Sequence, residues 1–487
     1  MTNPPLPTIS RRSRYDAVVL GSGPNGLAAA IVIARAGRSV LVVEGHREPG
    51  GGARTAPLTE PGFLHDVCSA VHPMAASSPF FRTLPLADYG LEWIASPLAL
   101  AHPLDDGTSA TLERSLDATA AALGRDGERY RRLMQPIVEA WPTLQTDALA
   151  PPHLPRHPLQ LLRFARLALQ PAQSFLSRAF QSPRTRALFA GLAGHAVLPL
   201  DYRPSAAFAL TLAVLGHVNG WPIAKGGSGR ITAALVAYLR SLGGELVTGW
   251  PISRLEELPA ARAVLLDVGP RQLLRLAGDR LPRRYQHALE RYRYGPGVYK
   301  MDWALAAPVP WTSIDCAEAA TLHLGGTMEE IADAERDVWR GGHPDRPLVL
   351  ASQPTRFDPS RAPEGRHILW AYCHVPNGST VDMSDRIERQ IERFAPGFRD
   401  LILAKATRTT MDLERDNPNL VGGDIVGGAQ DLRQILARPV LKPIPYTTPL
   451  RGVYLCSAST PPGGGVHGLC GYYAAHVALR GVLAHAR

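Results

Sequence analysis

The stretch YDAVVLGSGPNGLAAAIVIARAGRSVLVVE, residues 15–44, constrains the fold more than any other part of the chain. A short apolar strand runs into the turn GSGPNG, and an alanine-rich helix follows. Gly37 is placed to end that helix, and a second apolar strand, 39–43, ends at Glu44. This order of strand, glycine turn, helix, strand and acid is typical of a dinucleotide-binding unit in a parallel sheet.

Each glycine of the turn has a separate role. Gly21 allows the sharp turn, Gly23 lets the backbone approach a pyrophosphate, and Gly26 allows close packing of helix on strand. The helix N-terminus offers free N–H groups and partial positive charge to the phosphates. Glu44 is placed to accept hydrogen bonds from ribose hydroxyls, which disfavours a 2′-phosphate. The sequence therefore predicts FAD or NAD.

A second glycine turn, GGGART, follows Glu44 closely and distinguishes between FAD and NAD. An NAD dehydrogenase has no need of such a turn at this place. FAD enzymes of the glutathione-reductase-like superfamily often have one, with two glycines before an arginine and a Thr or Ser. Here those residues are Gly51, Gly52, Arg54 and Thr55. We therefore expect FAD, with the turn beside the pyrophosphate and Arg54 near the phosphates and the flavin.

Composition is that of an ordinary soluble protein: 487 residues, of which 45% are hydrophobic and 20% charged. That length allows two or three domains. Residues 1–14 are polar and lack the apolar region of a secretory signal, so we expect a cytoplasmic protein. The five cysteines contain no C-x-x-C pair, which argues against a zinc site or a redox disulfide. We expect no metal.

The net charge of +9 comes almost entirely from arginine. No basic patch interleaved with aromatic residues is present, so we expect no nucleic-acid partner. Segment 148–200 contains no Asp or Glu, and within it PLQLLRFARLALQPAQSFLSRAF places leucines among arginines. Such a helix is suited either to an anionic membrane surface or to a cap over a substrate pocket, with its arginines in solvent. We prefer the cap and keep peripheral membrane contact as the alternative.

Motifs along nearly the whole chain resemble those of phytoene-desaturase (CrtI-type) and amine-oxidase-like flavoproteins. Within that superfamily the chain resembles most the pyridine nucleotide-disulphide oxidoreductase domain-containing protein 2 branch. The motifs that carry the resemblance are GSGPNG, GGGART, LHDVCSAVHPMAASSPFF, GWPIAKGGSGRITAAL, YGPGVYKMDWAL, HLGGT, WAYCHVPNGS, NPNLVGGDIVGG and STPPGGGVHGLCGYYAA.

The resemblance implies an α/β fold with an interrupted layout. A Rossmann-like, glutathione-reductase-like FAD-binding domain would consist of three discontinuous segments, 14–76, 220–267 and 441–487. Segments 77–219 and 268–440 would form an inserted α+β substrate domain with a helical cap. The sequence supports this layout independently, since residues 226–247 read as a glycine turn, a helix from Arg230 to Leu242 and a strand.

The turn and resemblance together imply a set of cofactor-binding residues. In relatives, the residue at the position of Ile252 lays its backbone against the adenine. The resemblance also implies that the C-terminal glycine turn, residues 459–465, closes over the flavin ring. It implies that the helix beginning near Val466 points its N-terminus at the pyrimidine edge, where it would stabilise negative charge on the reduced flavin. The predicted set is Gly21, Gly23, Pro24, Asn25, Gly26, Glu44, Gly45, Gly51, Gly52, Ala53, Arg54, Ile252, Ser459, Gly464, Gly465, Val466 and His467.

A third glycine turn, Gly226-Gly227-x-Gly229, is not read as an NAD site. No buried strand precedes it directly, and no acid follows it at the right distance on a second strand. We therefore expect the electron acceptor to be oxygen or a quinone rather than bound NAD(P). A redox-neutral isomerisation, which needs no external acceptor, remains open.

Four residues are candidates for catalysis. His467 lies inside the C-terminal glycine turn, where it would add positive charge or meet the substrate; filling the loop is the equal alternative. Lys300 alternates with Asp302 on a predicted strand, so both face one side. It could hold a water near the flavin, although a plain Lys–Asp pair is slightly preferred. His72 and His374 complete the set, and each is at least as compatible with a structural role.

The sequence thus predicts an FAD-dependent oxidoreductase that acts on a hydrophobic small molecule. Hydride would pass to the flavin N5, in a desaturase, dehydrogenase or redox-neutral isomerase reaction. The alternative is a protein that retains FAD for structure and works through partners, at a membrane or elsewhere. Adjacent Tyr472 and Tyr473 point to different helix faces and cannot form an aromatic sandwich, which argues against a simple amine oxidase.

Overall fold

The computed structural model describes residues 14–484. The polar segment 1–14, from which a cytoplasmic protein was predicted, lies outside the described residues apart from Arg14. Strands are β1 Tyr15–Leu20, β2 Val40–Val43, β3 Thr55–Ala56, β4 His65–Asp66, β5 Trp93–Ile94, β6 Leu98–Pro103, β7 Ser109–Glu113, β8 Ile223–Ala224, β9 Glu245–Val247, β10 Ala261–Leu266, β11 Gly297–Leu305, β12 Ala319–Leu324, β13 Val349–Ser352, β14 His367–Val375, β15 Ile402–Arg408 and β16 Val453–Leu455.

Helices account for most of the remaining regular structure. The α-helices are α1 Pro24–Arg35, α2 Pro73–Ser77, α3 Leu116–Ala122, α4 Gly127–Ala148, α5 Pro158–Ala168, α6 Ala172–Ala179, α7 Pro183–Gly194, α8 Ser205–Asn219, α9 Gly229–Ser241, α10 Pro270–Ala277, α11 Arg283–Glu290, α12 Ile314–Glu318, α13 Met328–Trp339, α14 Ser384–Phe394, α15 Thr410–Asp416, α16 Leu432–Leu436 and α17 Leu469–Arg480. Short 3-10 helices lie at 81–83, 86–89, 124–126, 255–257, 278–280, 354–356, 359–361, 399–401 and 421–423.

The first sheet is parallel and has the strand order β16-β10-β1-β2-β9. Helices cover both of its faces, so β1 and β2 are almost entirely apolar, as expected for parallel strands buried on both sides. Its strands come from all three segments that were predicted to form the dinucleotide-binding domain. This is the predicted Rossmann-like α/β architecture, with α9 at 229–241 against the expected 230–242.

Helices α1 and α17 pack closely on one face of this sheet because their contact residues are small. A Cβ atom on Gly471 of α17 would lie 1.8 Å from the Asn25 carbonyl oxygen of α1. A Cβ on Gly468, just before α17, would lie 2.9 Å from the Cβ of Ala28. The close approach of the two helices brings the C-terminal glycine turn to the N-terminal one.

The second sheet is mixed, with the order β15-β11-β14-β13-β12-β6-β7. One face packs on α14 in a core that includes Met301, Trp303 and Phe394. The opposite face is turned toward the first sheet and the helices α4–α8. These helices form the predicted cap, and the space between cap, second sheet and first sheet is the principal cavity.

None of the helices within residues 14–484 is long and apolar enough to cross a membrane. The cysteines, all of which lie in this range, are free thiols, and four of the five are buried.

Candidate active site

One continuous cavity of about 1160 Å³ joins the glycine turns of the first sheet to the apolar underside of the cap. Its two ends differ in chemistry. The carboxylates among its lining residues, Glu44, Asp267 and Asp416, lie at the end formed by the first sheet. The other end is lined mainly by apolar side chains, including Leu161, Phe164, Ala168, Phe208, Leu212, Trp221 and Leu350.

The first glycine turn has the geometry of an anion-binding site. Gly21 has a φ of +100°, and a Cβ on Gly26 would lie 2.1 Å from the Gly21 carbonyl oxygen, so both positions require glycine. The backbone N–H groups of Gly23 and Asn25 donate to no acceptor among the described residues. Unpaired donors at a helix N-terminus next to a cavity are suited to a phosphate group.

Glu44 directly follows β2 and lies beside this turn, as predicted. Its Oε2 accepts hydrogen bonds from the Ser22 N–H (2.8 Å) and the Ser22 hydroxyl (2.7 Å). Its Oε1 accepts from the His46 N–H at 2.8 Å. A carboxylate can accept about four hydrogen bonds, so the group is held in place with capacity left for a hydroxyl of a ligand.

Ile252 is brought alongside Glu44 by two backbone hydrogen bonds. The Trp250 N–H donates to the Glu44 carbonyl (2.9 Å), and the Gly249 N–H to the His46 carbonyl (2.8 Å). Ile252 then lines the cavity, and neither its N–H nor its carbonyl has a partner among the described residues. The unpaired N–H and carbonyl groups of one residue can together pair with the edge of a heterocycle such as adenine.

The second glycine turn lies directly against the first. A Cβ on Gly51 would lie 3.1 Å from the Cα of Gly23. The Arg54 Nε donates to the Gly51 carbonyl oxygen (2.9 Å), and its Nη1 lies 3.0 Å from the His46 Nε2. Its Nη2 donates to Asp416 in an ion pair across the cavity wall, and no motif in the sequence predicts this pair. The buried arginine is thus oriented within the predicted phosphate region.

Asp267 was not among the predicted site residues, yet it supports the first turn. Its Oδ2 accepts a hydrogen bond from the Gly26 N–H at 2.9 Å, and a Cβ on Gly23 would lie 2.9 Å from the same oxygen. Burial raises the pKa of Asp267 to about 7 against the effect of the Gly26 hydrogen bond, and the charge of Glu44 adds to the rise. The acid after β10, in the sequence VLLDVGP, was the available signal.

The C-terminal turn also faces the cavity with unpaired donors. Gly464, Gly465 and Val466 line it, and their backbone N–H groups have no acceptor among the described residues. A Cβ on Gly464 would lie 2.6 Å from the Val426 carbonyl oxygen, so that position requires glycine. Helix α17 begins at Leu469 rather than near Val466, because the turn continues through Gly468 in the left-handed region (φ +70°).

His467 uses both of its ring nitrogens inside this turn. Its Nδ1 accepts from the Leu469 N–H (3.0 Å), and its Nε2 donates to the Gly463 carbonyl (3.2 Å). Burial lowers the pKa of His467 to about 4. These contacts hold the ring neutral and match the loop-filling alternative, not the addition of positive charge.

His72 lines the same cavity and is buried. Neither of its ring nitrogens has a hydrogen-bond partner among the described residues. Burial lowers its pKa to about 4, although the nearby Asp66 carboxylate acts in the opposite direction. A buried imidazole without partners at a cavity wall can hydrogen-bond to a bound molecule.

Lys300 and His374 are not among the residues that line the cavity. The Lys300 ammonium is paired with the Asp302 carboxylate, as the alternation predicted, and lies 5.8 Å from the centre of the Trp370 ring. Burial lowers the pKa of Lys300. His374 lies in the core of the same domain, with its Nδ1 2.8 Å from the Glu335 carboxylate.

The third glycine turn is occupied by protein groups. The Ser228 N–H donates to the Asp66 carboxylate (2.7 Å), and the Gly229 N–H donates to the Thr55 hydroxyl (3.0 Å). Burial alone would raise the pKa of Asp66, but Arg361 and the Ser228 hydrogen bonds outweigh it and hold the pKa below its usual value. A carboxylate of the protein itself thus lies at the N-terminus of α9, where a dinucleotide site would hold a phosphate.

Helix α5, in the acid-free segment, serves as a wall of the cavity. Phe164 and Ala168 are buried and line it. On the outside, Leu159 and Leu162 are 70% and 68% exposed, among the exposed Arg163 and Arg166. The cap interpretation therefore describes the inner face of α5, and the outer face retains the apolar, basic character on which the membrane interpretation depends.

His195 was not singled out by the sequence, because it belongs to no motif. It follows α7, lines the apolar part of the cavity, and places its Nε2 2.9 Å from the Nε2 of His323 on β12. The two residues are 128 positions apart in the chain, so only the folded structure brings them together.

Comparisons with known proteins agree with this geometry. The model of an NAD(P)-binding Rossmann-like domain matches residues 19–84. A pyridine nucleotide-disulfide oxidoreductase domain-containing protein 2 from Rattus norvegicus is 26% identical, over 96% of this chain and 94% of the rat protein. A phytoene dehydrogenase from Streptomyces griseus is 28% identical, over 81% of this chain and 78% of that enzyme.

Solved structures show the same fold at low identity. An oxidoreductase from Methanosarcina mazei superposes with a TM-score of 0.66 at 17% identity, covering 95% of this chain and 99% of that one. A putrescine oxidase bound to putrescine superposes with a TM-score of 0.60 at 16% identity, covering 97% and 98%. The resemblance stated from the motifs is confirmed: the chain is related to dinucleotide-binding oxidoreductases that include desaturases, and it shares the fold of amine oxidases.

Proposed function

We propose that this relative of desaturases and dehydrogenases is an FAD-dependent oxidoreductase that removes hydride from a C–H bond of an apolar small molecule. One observation carries the proposal: a single cavity has two different ends. One end is a groove lined by the unpaired backbone N–H groups of residues 23, 25 and 464–466. The other end is an apolar chamber, lined by side chains such as Leu161, Phe164 and Leu212. The groove is long, polar and fixed by glycines, whereas the chamber has aliphatic and aromatic walls. A cofactor in the groove would therefore meet an apolar substrate directly.

The groove fits FAD at each of its parts. Gly23, Asn25 and the second glycine turn would hold the pyrophosphate, with the buried Arg54 beside them. Glu44 would accept from the ribose, and the backbone of Ile252 would pair with the adenine. The unpaired N–H groups of residues 464–466 would face the flavin. When bound, FAD supplies a hydride acceptor at the flavin N5.

The residues of this chain would contribute mainly position and electrostatics. The N–H groups of residues 464–466 would stabilise negative charge where it develops in the reaction, at no cost of reorganisation, because the turn is already formed. The apolar chamber would exclude water and orient the reacting C–H bond. Since Asp66 and Thr55 occupy the third glycine turn, oxygen or a quinone is a better acceptor than bound NAD(P).

We propose an apolar substrate on two grounds, the apolar lining of the chamber and the names of proteins related to this chain. Carboxylates are found among the lining residues only near the glycine turns, and the names of relatives include phytoene dehydrogenase. We also propose that the outer face of α5 contacts an anionic lipid surface. Its exposed leucines lie among arginines, on a helix whose opposite face lines the chamber.

Photoreduction tests the function most directly. The purified protein should carry FAD, released on denaturation and identified by chromatography. After anaerobic photoreduction, the flavin should reoxidise with oxygen or a soluble quinone in seconds to minutes, and not with NAD+ or NADP+. A preparation that takes up no FAD, or whose reduced flavin reoxidises only with a nicotinamide, would contradict the proposal.

A further inference from the structure

A pair of histidines gives the apolar chamber one fixed polar point. His195 follows α7, and its ring packs edge-to-face against Trp221 with ring centres 5.7 Å apart. Its Nε2 lies 2.9 Å from the Nε2 of His323. The other ring nitrogen of His195, Nδ1, has no hydrogen-bond partner among the described residues and is not enclosed by protein, since the partly exposed ring lines the cavity.

The second sheet and helix α7 bring the two histidines together. His323 lies in register with Leu350 of β13, and Leu350 with Tyr372 of β14, so the three side chains share the face of the sheet that is turned toward the chamber. A Cβ on Gly191 would lie 2.4 Å from the His323 Nδ1, so the glycine lets α7 approach the ring. His195 is four residues further on, on the same side of the helix.

The contacts of His323 determine where the proton of each ring lies. Its Nδ1 is buried without a partner. A buried N–H without an acceptor is costlier and rarer than a buried lone pair without a donor, so the proton of His323 resides on Nε2. The His323 Nε2–H then donates to the His195 Nε2, which must be unprotonated. The proton of His195 is therefore on Nδ1, at the chamber.

Both rings are neutral near pH 7. Burial lowers the pKa of His195 to about 3, and burial with the neighbouring His195 and His102 rings holds the pKa of His323 well below its usual value. A neutral pair keeps this single arrangement of protons over the physiological range.

Resting on the function proposed above, we infer that the His195 Nδ1–H is a substrate-binding donor, and that the substrate is an otherwise apolar molecule with one carbonyl or hydroxyl oxygen. The neutral N–H would accept no ammonium ion. It would hydrogen-bond to the oxygen and fix the position of the apolar chain along the chamber. His323 is a positioning residue, because it sets the tautomer of His195 without touching the substrate.

A matched pair of probes tests the inference with the flavin-loaded protein. Farnesal and farnesene are terpenoids of equal carbon number, of which only farnesal has a carbonyl group. Binding is followed by quenching of tryptophan fluorescence, since Trp221 and Trp370 line the cavity. The wild type should bind farnesal about fivefold more tightly than farnesene. Infrared difference spectra should show the carbonyl stretch of bound farnesal at lower wavenumber than in hexane.

Two variants complete the test. His195→Leu should abolish both the preference and the carbonyl shift, while farnesene binding stays the same. His195→Asn places an amide N–H near the position of Nδ1 and should restore the shift. No preference for farnesal in the wild type, or an unchanged carbonyl stretch in His195→Leu, would overturn the inference. Both readouts are independent of turnover, so a protein without flavin redox activity would refute the proposed function alone.

Discussion

Gly471 of α17 lies against the backbone carbonyl of Asn25 in α1, so closely that a Cβ would come within 1.8 Å of the oxygen. The contact joins the turn near the C-terminus to the turn near the N-terminus. Gly471→Ala should therefore push the helices apart and destabilise the protein by about 1–3 kcal/mol. Thermal unfolding measures the change, and FAD content should fall with it.

Gly278→Ala is the matched control for this helix contact. Gly278 has a φ of −55°, and no atom lies within 4 Å of its would-be Cβ. This variant should be neutral or slightly more stable than the wild type. Equal melting temperatures for Gly471→Ala and Gly278→Ala would show that α1 and α17 are not in tight contact.

Glu44→Ala should weaken FAD binding. The change removes the acceptor for the Ser22 N–H and hydroxyl and the proposed acceptor for the ribose. Loss of hydrogen bonds to a charged group costs about 1.5–3 kcal/mol, which corresponds to roughly 10–150-fold in the dissociation constant. Titration of the apoprotein with FAD measures it, with the exposed Glu48→Ala as the control. Full flavin occupancy in Glu44→Ala would place the ribose elsewhere.

Asp267 should make the apoprotein less stable as pH rises. Its pKa is raised in the folded state to about 7, so between pH 4 and 7 the folded protein binds more protons than the unfolded chain. The stability that the protonated Asp267 carboxyl contributes is complete below the pKa of this group in the unfolded chain. It is lost as the pH rises from there to about 7. Relative to Asp267→Asn, the wild type should lose about 2–3 kcal/mol between pH 5 and pH 8. If the difference in unfolding free energy between the two proteins were the same at both pH values, this prediction would be wrong.

Lys300 should prove structural. Lys300→Met leaves the buried Asp302 carboxylate without its ammonium partner, which typically costs about 3–5 kcal/mol. The double variant Lys300→Met/Asp302→Leu should regain most of that stability, because it leaves no buried charge unpaired. Chemical unfolding measures both proteins. If Lys300→Met were as stable as the wild type but could not reduce its flavin with substrate, the lysine would instead act in catalysis.

The outer face of α5 should bind anionic liposomes. Leu159→Ser/Leu162→Ser should reduce flotation with phosphatidylglycerol vesicles, and Arg163→Gln/Arg166→Gln should remove about 1 kcal/mol of binding per arginine at low salt. The control is Ile314→Ser, which changes an apolar residue of similar exposure on α12. Flotation that is absent in the wild type, or equally reduced by Ile314→Ser, would exclude a specific role for α5.

The sequence predicts those parts of the site that depend on local order. Gly21, Glu44 and Arg54 belong to short motifs whose geometry follows from neighbours in the chain, and the structure places all three at one cavity. Asp416 and His195 could not be found in this way. Arg54 meets Asp416 across 362 positions and His195 meets His323 across 128, and neither pair has a spacing that distinguishes it from chance.

The candidate histidines show that a position in a motif does not reveal what surrounds a side chain. The motif position of His467 suggested chemistry, but its two backbone hydrogen bonds are set by the shape of the turn, which the sequence does not reveal. His374 was chosen from a strand-like run, and whether it faces a cavity or a core depends on the helices packed above the strand. Its partner Glu335 comes from α13.

The distribution of the groove over distant segments has a consequence for biosynthesis. The first glycine turn leaves the ribosome early, whereas residues 464–466 and α17 are among the last of the described residues to emerge. Until then α1 lacks the helix against which Asn25 packs, and the groove lacks the wall formed by the last turn. The proposed cofactor groove is therefore complete only after residues 464–466 have been made, and a nascent chain must keep an apolar helix face unpaired while the residues between the two turns are made.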